Sequence, residues 1–367
     1  MGQGFARLAA LALALALTWA SLAYAAPAAG PPPVPALNIA MYKGVDRDKL
    51  ILDGAKREGK VSIYSGMIEN QALRPLVDAF EKKYPFVDVE YWRGDSRAML
   101  QKLLAEQRAR RIIGDIFEST GGAEVIVKAG AVVPFTSPSA ANFPQAYIDP
   151  DGMWIASRLN FFGVAYNTRQ VSAADVPKTY EDLLNPKWKG AIAWRADSEV
   201  GAGLFIATIL RTMGRTNGEA YLKKLAAQGV VNYAGSARAL VDRVGEGEYK
   251  LALHIYAHHP LISKAKGAAL EVQMLEPVPS MVSTIQLAKG APHPHAAMLF
   301  IDFMLSKEGQ ETLKAADYMS PNPEVTINPG LRKIVPRLSN LKETVFTPEL
   351  MYETRAYANA MFNKYFR

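Results

Sequence analysis

The densest group of chemically able side chains in the sequence is His254-Ile255-Tyr256-Ala257-His258-His259, which holds three of the chain's five histidines within six residues. Neutral imidazole and phenol are hydrogen-bonding and metal-ligating groups, so two readings follow. In one, Tyr256 and His254 form aromatic, hydrogen-bonding walls for an organic ligand, and His258 and His259 are solvated turn residues before Pro260. In the other, an imidazole joins a transition-metal site. Four further segments have the composition of anion-binding turns: Ser65-Gly66-Met67, Glu118-Ser119-Thr120-Gly121-Gly122, Trp194-Arg195-Ala196-Asp197-Ser198 before Gly201-Ala202-Gly203, and Gly235-Ser236. Unpaired N–H groups and the dipole at a helix start favour negative charge there. Arg195 can grip two oxygens of a carboxylate or phosphonate, or spend its charge in a salt bridge. Ser236 can cap the helix that follows or bind an anion.

These segments sit where strands give way to helices. Spacing predicts a helix over 46–57 stopped by Gly59, a strand over 61–64, an amphipathic helix through Leu73, Leu76, Val77 and Phe80 ended by Pro85, and a strand over 87–91. Ser96 is placed to cap a helix carrying Leu100, Leu103 and Leu104, and a third strand is expected over 112–117. A second series follows a Pro/Ser/Asn break: aromatic-rich extended chain over 154–166, strand 191–193, helices 201–212, 219–227 and 238–244, and strand 251–255. The alternating Met281 to Leu287 reads as a strand returning to the first series. Trp92 and Arg93 are candidates for a cleft lip, and Asn160 for the hinge or a strand edge.

Repeated β-α-β order implies α/β architecture with two mostly parallel sheets, helices on both faces and crossing strands that form a hinge. At 367 residues the chain is long enough for two lobes. The expected organisation is 38–155 with 278–320 as lobe 1, and 156–277 with 321–367 as lobe 2. Residues 1–25 read as a signal peptide, because Arg7, the apolar run Leu8 to Leu17 and Ala23-Tyr24-Ala25 supply its three parts. Residues 26–37 read as an Ala/Pro-rich flexible arm.

Composition removes several functions. With no cysteine, disulfides, thiolate catalysis and a lipidated terminal thiol are all absent. The net charge of +7 favours an anionic ligand or acidic partner. Lys and Arg are scattered rather than run together, which argues against nucleic acid. No later segment is long enough to be embedded in a membrane. No nucleophile elbow, phosphate-binding glycine loop or His-Glu zinc motif occurs, so an enzyme is not expected.

At Asn185-Pro186-Lys187-Trp188-Lys189-Gly190, and from Ala291-Pro292-His293-Pro294 through Phe300-Ile301-Asp302-Phe303-Met304-Leu305-Ser306-Lys307-Glu308-Gly309-Gln310, the sequence resembles the extracellular solute-binding proteins of bacterial ABC importers. The resemblance is to family 1 and its ferric-ion-binding branch; Tyr64-Ser65, Asp115-Ile116-Phe117, Ala129-Gly130 and Gly163-Val164-Ala165-Tyr166-Asn167 extend it. It implies the type II periplasmic binding fold, a monomer in the periplasm, and ABC permease subunits as partners. The ligand it implies is a small solute, here a small anionic organic one, or iron(III) as cargo rather than cofactor. In that branch two adjacent tyrosines hold iron; here Tyr256 matches the first place, Ala257 takes the second, and the loop Gly66-Met67-Ile68 lacks the branch's histidine. A rearranged metal set would comprise Tyr256, Glu118 and His258. The candidate ligand-binding residues are Ser65, Gly66, Glu118, Ser119, Arg195, Ser198, Gly201, Ser236, His254 and Tyr256.

Overall fold

The computed structural model describes residues 39–196 and 200–367. The signal-peptide and flexible-arm readings, and Ser198, lie outside the described residues.

The first sheet follows the expected order, except that the strand expected over 112–117 begins only at Ile116 and runs on to Thr120. Helix α1 (Arg47–Glu58) stops where Gly59 turns left-handed at φ 69°, and it is followed by β1 (Lys60–Ser65). Next come α2 (Arg74–Lys83), β2 (Asp88–Arg93), α3 (Ser96–Arg108), β3 (Ile116–Thr120), α4 (Ala123–Lys128) and β4 (Val132–Val133). Strand β1 pairs in parallel with both β2 and β3. Asp95, not Ser96, caps α3: its carboxylate accepts from the Ala98 N–H, and Ser96 is the first helical residue.

The second sheet follows with β5 (Ile155–Asn167), β6 (Ile192–Arg195), α5 (Ala202–Ala226), β7 (Val231–Tyr233), α6 (Ala237–Glu246), β8 (Leu251–Tyr256), α7 (His258–Ala265) and β9 (Leu270–Gln273). Strand β6 lies parallel to β7 and β8. The two helices expected over 201–227 form one element interrupted at Gly214, whose φ of 76° and ψ of 164° break the helical path. The chain finishes with β10 (Val278–Ala288), α8 (Pro294–Leu305), α9 (Lys307–Ala315), α10 (Pro336–Ser339), β11 (Glu343–Phe346) and α11 (Pro348–Tyr365).

The long strand β5 takes part in both sheets, and it runs antiparallel to every strand it pairs with, β10 among them. Residues Ile155 to Phe161 of β5 pair with β10, while Phe162 to Asn167 pair with β8 and β9. Strand β10 in turn pairs antiparallel with β3 and β4 and parallel with β11. Every residue of β5 and β10 is buried, so each of their polar side chains needs a partner. Asn160 finds one across the pair, donating to the Met281 carbonyl at 3.2 Å and to Ser283 Oγ at 2.9 Å.

Apolar clusters lie against both sheets. One gathers Ile63, Leu73, Phe80, Ile285, Phe300 and Met304; Pro294 opens α8, and Phe300 packs 4.9 Å from Phe80. Another gathers Trp194, Phe205, Ile209, Leu253 and Phe362.

Gly163 marks where β5 passes from one sheet to the other. A Cβ there would sit 2.9 Å from the Gln273 carbonyl, Met274 Sδ and Val272 Cγ2. Gly163→Ala is therefore expected to lower stability by about 1–3 kcal/mol, measured by urea unfolding, as overpacking of a tight interior does.

Candidate ligand-binding cleft

The carboxyl ends of β1, β3, β6 and β8 open on one cleft of about 810 Å³. A cleft of that volume has room for a small organic molecule. Among the described residues its lining carries seven arginines, Arg93, Arg97, Arg158, Arg195, Arg238, Arg355 and Arg367, against one carboxylate, Asp95. Low-dielectric walls of one sign concentrate counter-charge, so the cleft is an anion trap.

Arg158 is the deepest of these. It sits on buried β5 with its guanidinium 4.8 Å from the Tyr318 ring centroid, and its Nε donates to Glu118 Oε1 at 3.0 Å. Desolvation opposes its charge, but Glu118 beside it, with Tyr318 and Tyr256, outweighs that and holds the guanidinium protonated. Glu118 is wholly buried and receives two more hydrogen bonds, from Ser65 at 2.7 Å and Ser157 at 3.0 Å. The carboxylate therefore faces inward, is not part of the lining, and serves as the counter-ion that fixes Arg158. Of the set Tyr256, Glu118 and His258, Glu118 thus already has three donors on its oxygens. Among the described residues no group of three His, Asp or Glu is placed to hold a metal ion.

The histidine cluster divides. His258 and His259 are not solvated turn residues; they open α7, are 2% and 6% exposed, and line the cleft. Neither ring nitrogen of His258 has a partner, and His259 Nδ1 has none. Burial, then Arg158 and Arg238, push His258 down to about 3, and His259 falls well below its usual value for the same reasons and because of His258 itself. Both are neutral imidazoles at neutral pH, offering a donor and an acceptor each. Tyr256 lines the cleft beside them, and burial pushes its phenol upward, so it presents an O–H. His254 does not reach the cleft. It occupies the irregular β5–β8 register at φ 55°, stacks on Phe162 at 4.8 Å, and is buried among aromatics.

The other candidates also separate by position. Gly66, Arg195, Ser236, Tyr256 and His258 line the cleft together. Ser65 is spent on Glu118 and on the Met67 N–H, and Ser119 donates to the Gly121 carbonyl. Gly201 is the buried residue before α5, whose following residues Ala202 and Gly203 do reach the lining. Ser236 does both of its possible jobs, capping α6 by accepting from the Ala239 N–H while facing the cleft. Arg195 forms a 2.8 Å ion pair with Asp95, so β6 of one sheet is tied across to the start of α3 on the other. Arg93 does line the cleft, whereas Trp92 packs edge-on to Tyr64 at 5.6 Å. Sequence reasoning missed Arg158, Arg238, Tyr318 and the contribution of α11, whereas Thr120, within the expected turn 118–122, does line the cleft. A lone charge in the otherwise uncharged 155–167 run was the available signal for Arg158.

Residues 114–338 match the family of bacterial extracellular solute-binding proteins. The iron uptake protein A1 of Synechocystis sp. is 27% identical over 191 residues, 49% of this chain and 53% of that protein, so the chain spans about half the length of that relative. A putative 2-aminoethylphosphonate-binding periplasmic protein of Salmonella typhimurium is 25% identical over 292 residues, 72% of this chain and 79% of that protein. Iron-bound HitA from Pseudomonas aeruginosa superposes with a TM-score of 0.72 at 21% identity, covering 84% of this chain and 99% of that one. The fold is thus that of two-lobed periplasmic binding proteins.

Two outcomes follow. Glu118→Ala leaves Arg158 buried without a counter-ion and is expected to cost about 3–5 kcal/mol in denaturant unfolding. Because His258 and His259 titrate far lower folded than their unfolded value near 6.5, the unfolded chain takes up protons first as pH falls from about 6.5. Stability should then drop by at most about 1.4 kcal/mol per histidine per pH unit, and His258→Gln should flatten that slope between pH 6.5 and 4.

Proposed function

Because the chain belongs to the bacterial extracellular solute-binding protein family, we propose that it captures a small organic anion in the periplasm and presents it, as a monomer, to the transmembrane subunits of an ABC importer. The observation that carries this reading is the arginine-dominated lining of a cleft of about 810 Å³. Binding, not catalysis, is the task of such a site. The solute classes that fit are phosphonates, phosphate esters and carboxylates, whose oxygens match guanidinium forks. The phosphonate named for the Salmonella relative is of this kind.

Closure is favoured because each half of the cleft contributes donors that only a shut cleft can bring to one ligand. The Asp95–Arg195 pair already spans the two halves. An incoming anion competes with Asp95 for Arg195, replacing one half-exposed carboxylate with a better enclosed oxygen group. Export through the signal peptide would place the protein where such solutes arrive.

Iron(III) is the second reading, carried by the name of the Synechocystis relative. Iron(III) favours anionic oxygen ligands. The cleft offers two neutral imidazoles and two phenols, Tyr256 and Tyr318, with Glu118 engaged by three donors. Cargo iron would have to bring its own anionic chelator, which the arginines could then hold.

Calorimetric titration with 2-aminoethylphosphonate, phosphate esters, dicarboxylates and ferric citrate tests this. Anion binding that weakens with added salt is expected. Arg195→Ala should weaken it by about tenfold or more, the loss of one charge-assisted hydrogen bond. Stabilisation by uncomplexed iron and by no anion would overturn the reading.

A further inference from the structure

Helix α7 opens on the two histidines of the cleft lining, and Ala257 stands at its N-cap without a capping side chain. A helix start leaves four N–H groups with no intrahelical partner. Here the Ala257 N–H is spent on the Phe161 carbonyl at 2.8 Å, and Pro260, third in the helix, has none to give. The two that remain belong to His258 and His259.

The rings of the same two residues add an independent observation. They are 2% and 6% exposed, and among the described residues His258 Nδ1, His258 Nε2 and His259 Nδ1 have no hydrogen-bond partner. Their neighbours also hold them in place. The His258 ring meets those of His259 and Tyr318 edge-on at 4.6 Å and 5.4 Å, and Tyr256 stands 5.1 Å from His259. Behind them Arg238 of α6 donates to the His259 carbonyl at 3.2 Å and to Ser263 Oγ, which ties down the first turn of α7. Polar groups on so well supported an element form a rigid recognition surface.

A neutral imidazole has one donating and one accepting nitrogen, so His258 presents one of each. The anionic group of a solute brings acceptors only: it can take the two helix N–H groups, the Arg158 guanidinium and the donating nitrogen of His258. It offers nothing to the accepting nitrogen, and a buried acceptor left unpaired is costly. A second group on the solute must therefore donate. An ammonium would enter a lining with seven arginines and, among the described residues, one carboxylate, Asp95, already paired with Arg195. A hydroxyl carries no charge for that lining to repel. We infer that His258 is a specificity-determining residue of the cleft and that it selects organic oxyanions bearing a hydroxyl group. The inference rests on the anion-binding reading of the same cleft.

The experiment is calorimetric titration of pairs that differ by a single hydroxyl: ethylphosphonate with 2-hydroxyethylphosphonate, succinate with malate, and propyl phosphate with 3-hydroxypropyl phosphate. Each goes into the wild-type chain, His258→Leu and His258→Gln, with folding checked by circular dichroism, and 2-aminoethylphosphonate is the ammonium control. Within the anion class it binds, the wild type is expected to prefer the hydroxylated member by about tenfold or more. His258→Leu should lose that preference, and His258→Gln, whose amide again donates and accepts, should recover part of it. A merely structural role would weaken both members of a pair equally and keep the preference. The inference is overturned, with the anion-binding reading left standing, by no preference in the wild type, by a preference that survives in His258→Leu, or by tighter binding of 2-aminoethylphosphonate than of 2-hydroxyethylphosphonate. The wild-type comparison decides even where His258→Leu does not fold. If no member of any pair binds, the anion-binding reading falls and takes this inference with it.

Discussion

A single buried ion pair organises the cleft floor. Glu118 on β3 and Arg158 on β5 lie between the sheets with side chains 0% and 7% exposed, and two serines complete the carboxylate's shell. Neither charge could stay buried alone, because removing an ion from water costs several kcal/mol. The pair thereby locks β1, β3 and β5 into one geometry, since Ser65, Glu118 and Ser157 with Arg158 each come from a different one of them. It also leaves the outer face of the guanidinium directed at the cleft. The charge that helps specify the fold also lines the cleft.

The electrostatics of the site follow from that placement. Arg158 and Arg238 help keep His258 and His259 neutral, so the cationic character of the cleft comes from guanidinium groups that stay charged at every physiological pH. The imidazoles then act as hydrogen-bonding surface rather than as charge. Such a division suits an anion with polar substituents: charge attracts, and neutral donors and acceptors sort among the candidates.

The paired strands β5 and β10 connect the halves of the molecule, and α11 adds a third link that touches α4 near one end and β6 near the other. A hinge built from two wholly buried antiparallel strands is stiff along its length. Its register is irregular at Ser283–Thr284 of β10 and between Gly163 and Ala165 of β5.

The sequence by itself determined the order of strand–loop–helix units, the stop at Gly59, the opening of α8 at Pro294, the crossing strands, and the turns at Gly66, Arg195 and Ser236 that reach the cleft. Periodicity, capping and turn chemistry act over a few residues, so they are legible locally. Only the tertiary structure decided which polar groups are spent internally. Glu118 and Ser65 look like ligand residues until β1 and β3 are laid side by side, which joins positions 53 residues apart. His258 looks solvated until α7 is packed against Tyr318, whose ring is 5.4 Å away. Arg355, Asn359 and Asn363 stand at a four-residue spacing, but nothing local says which face of α11 meets the cleft. Burial and partnership of a polar side chain are properties of long-range contacts, and a single sequence does not write them down.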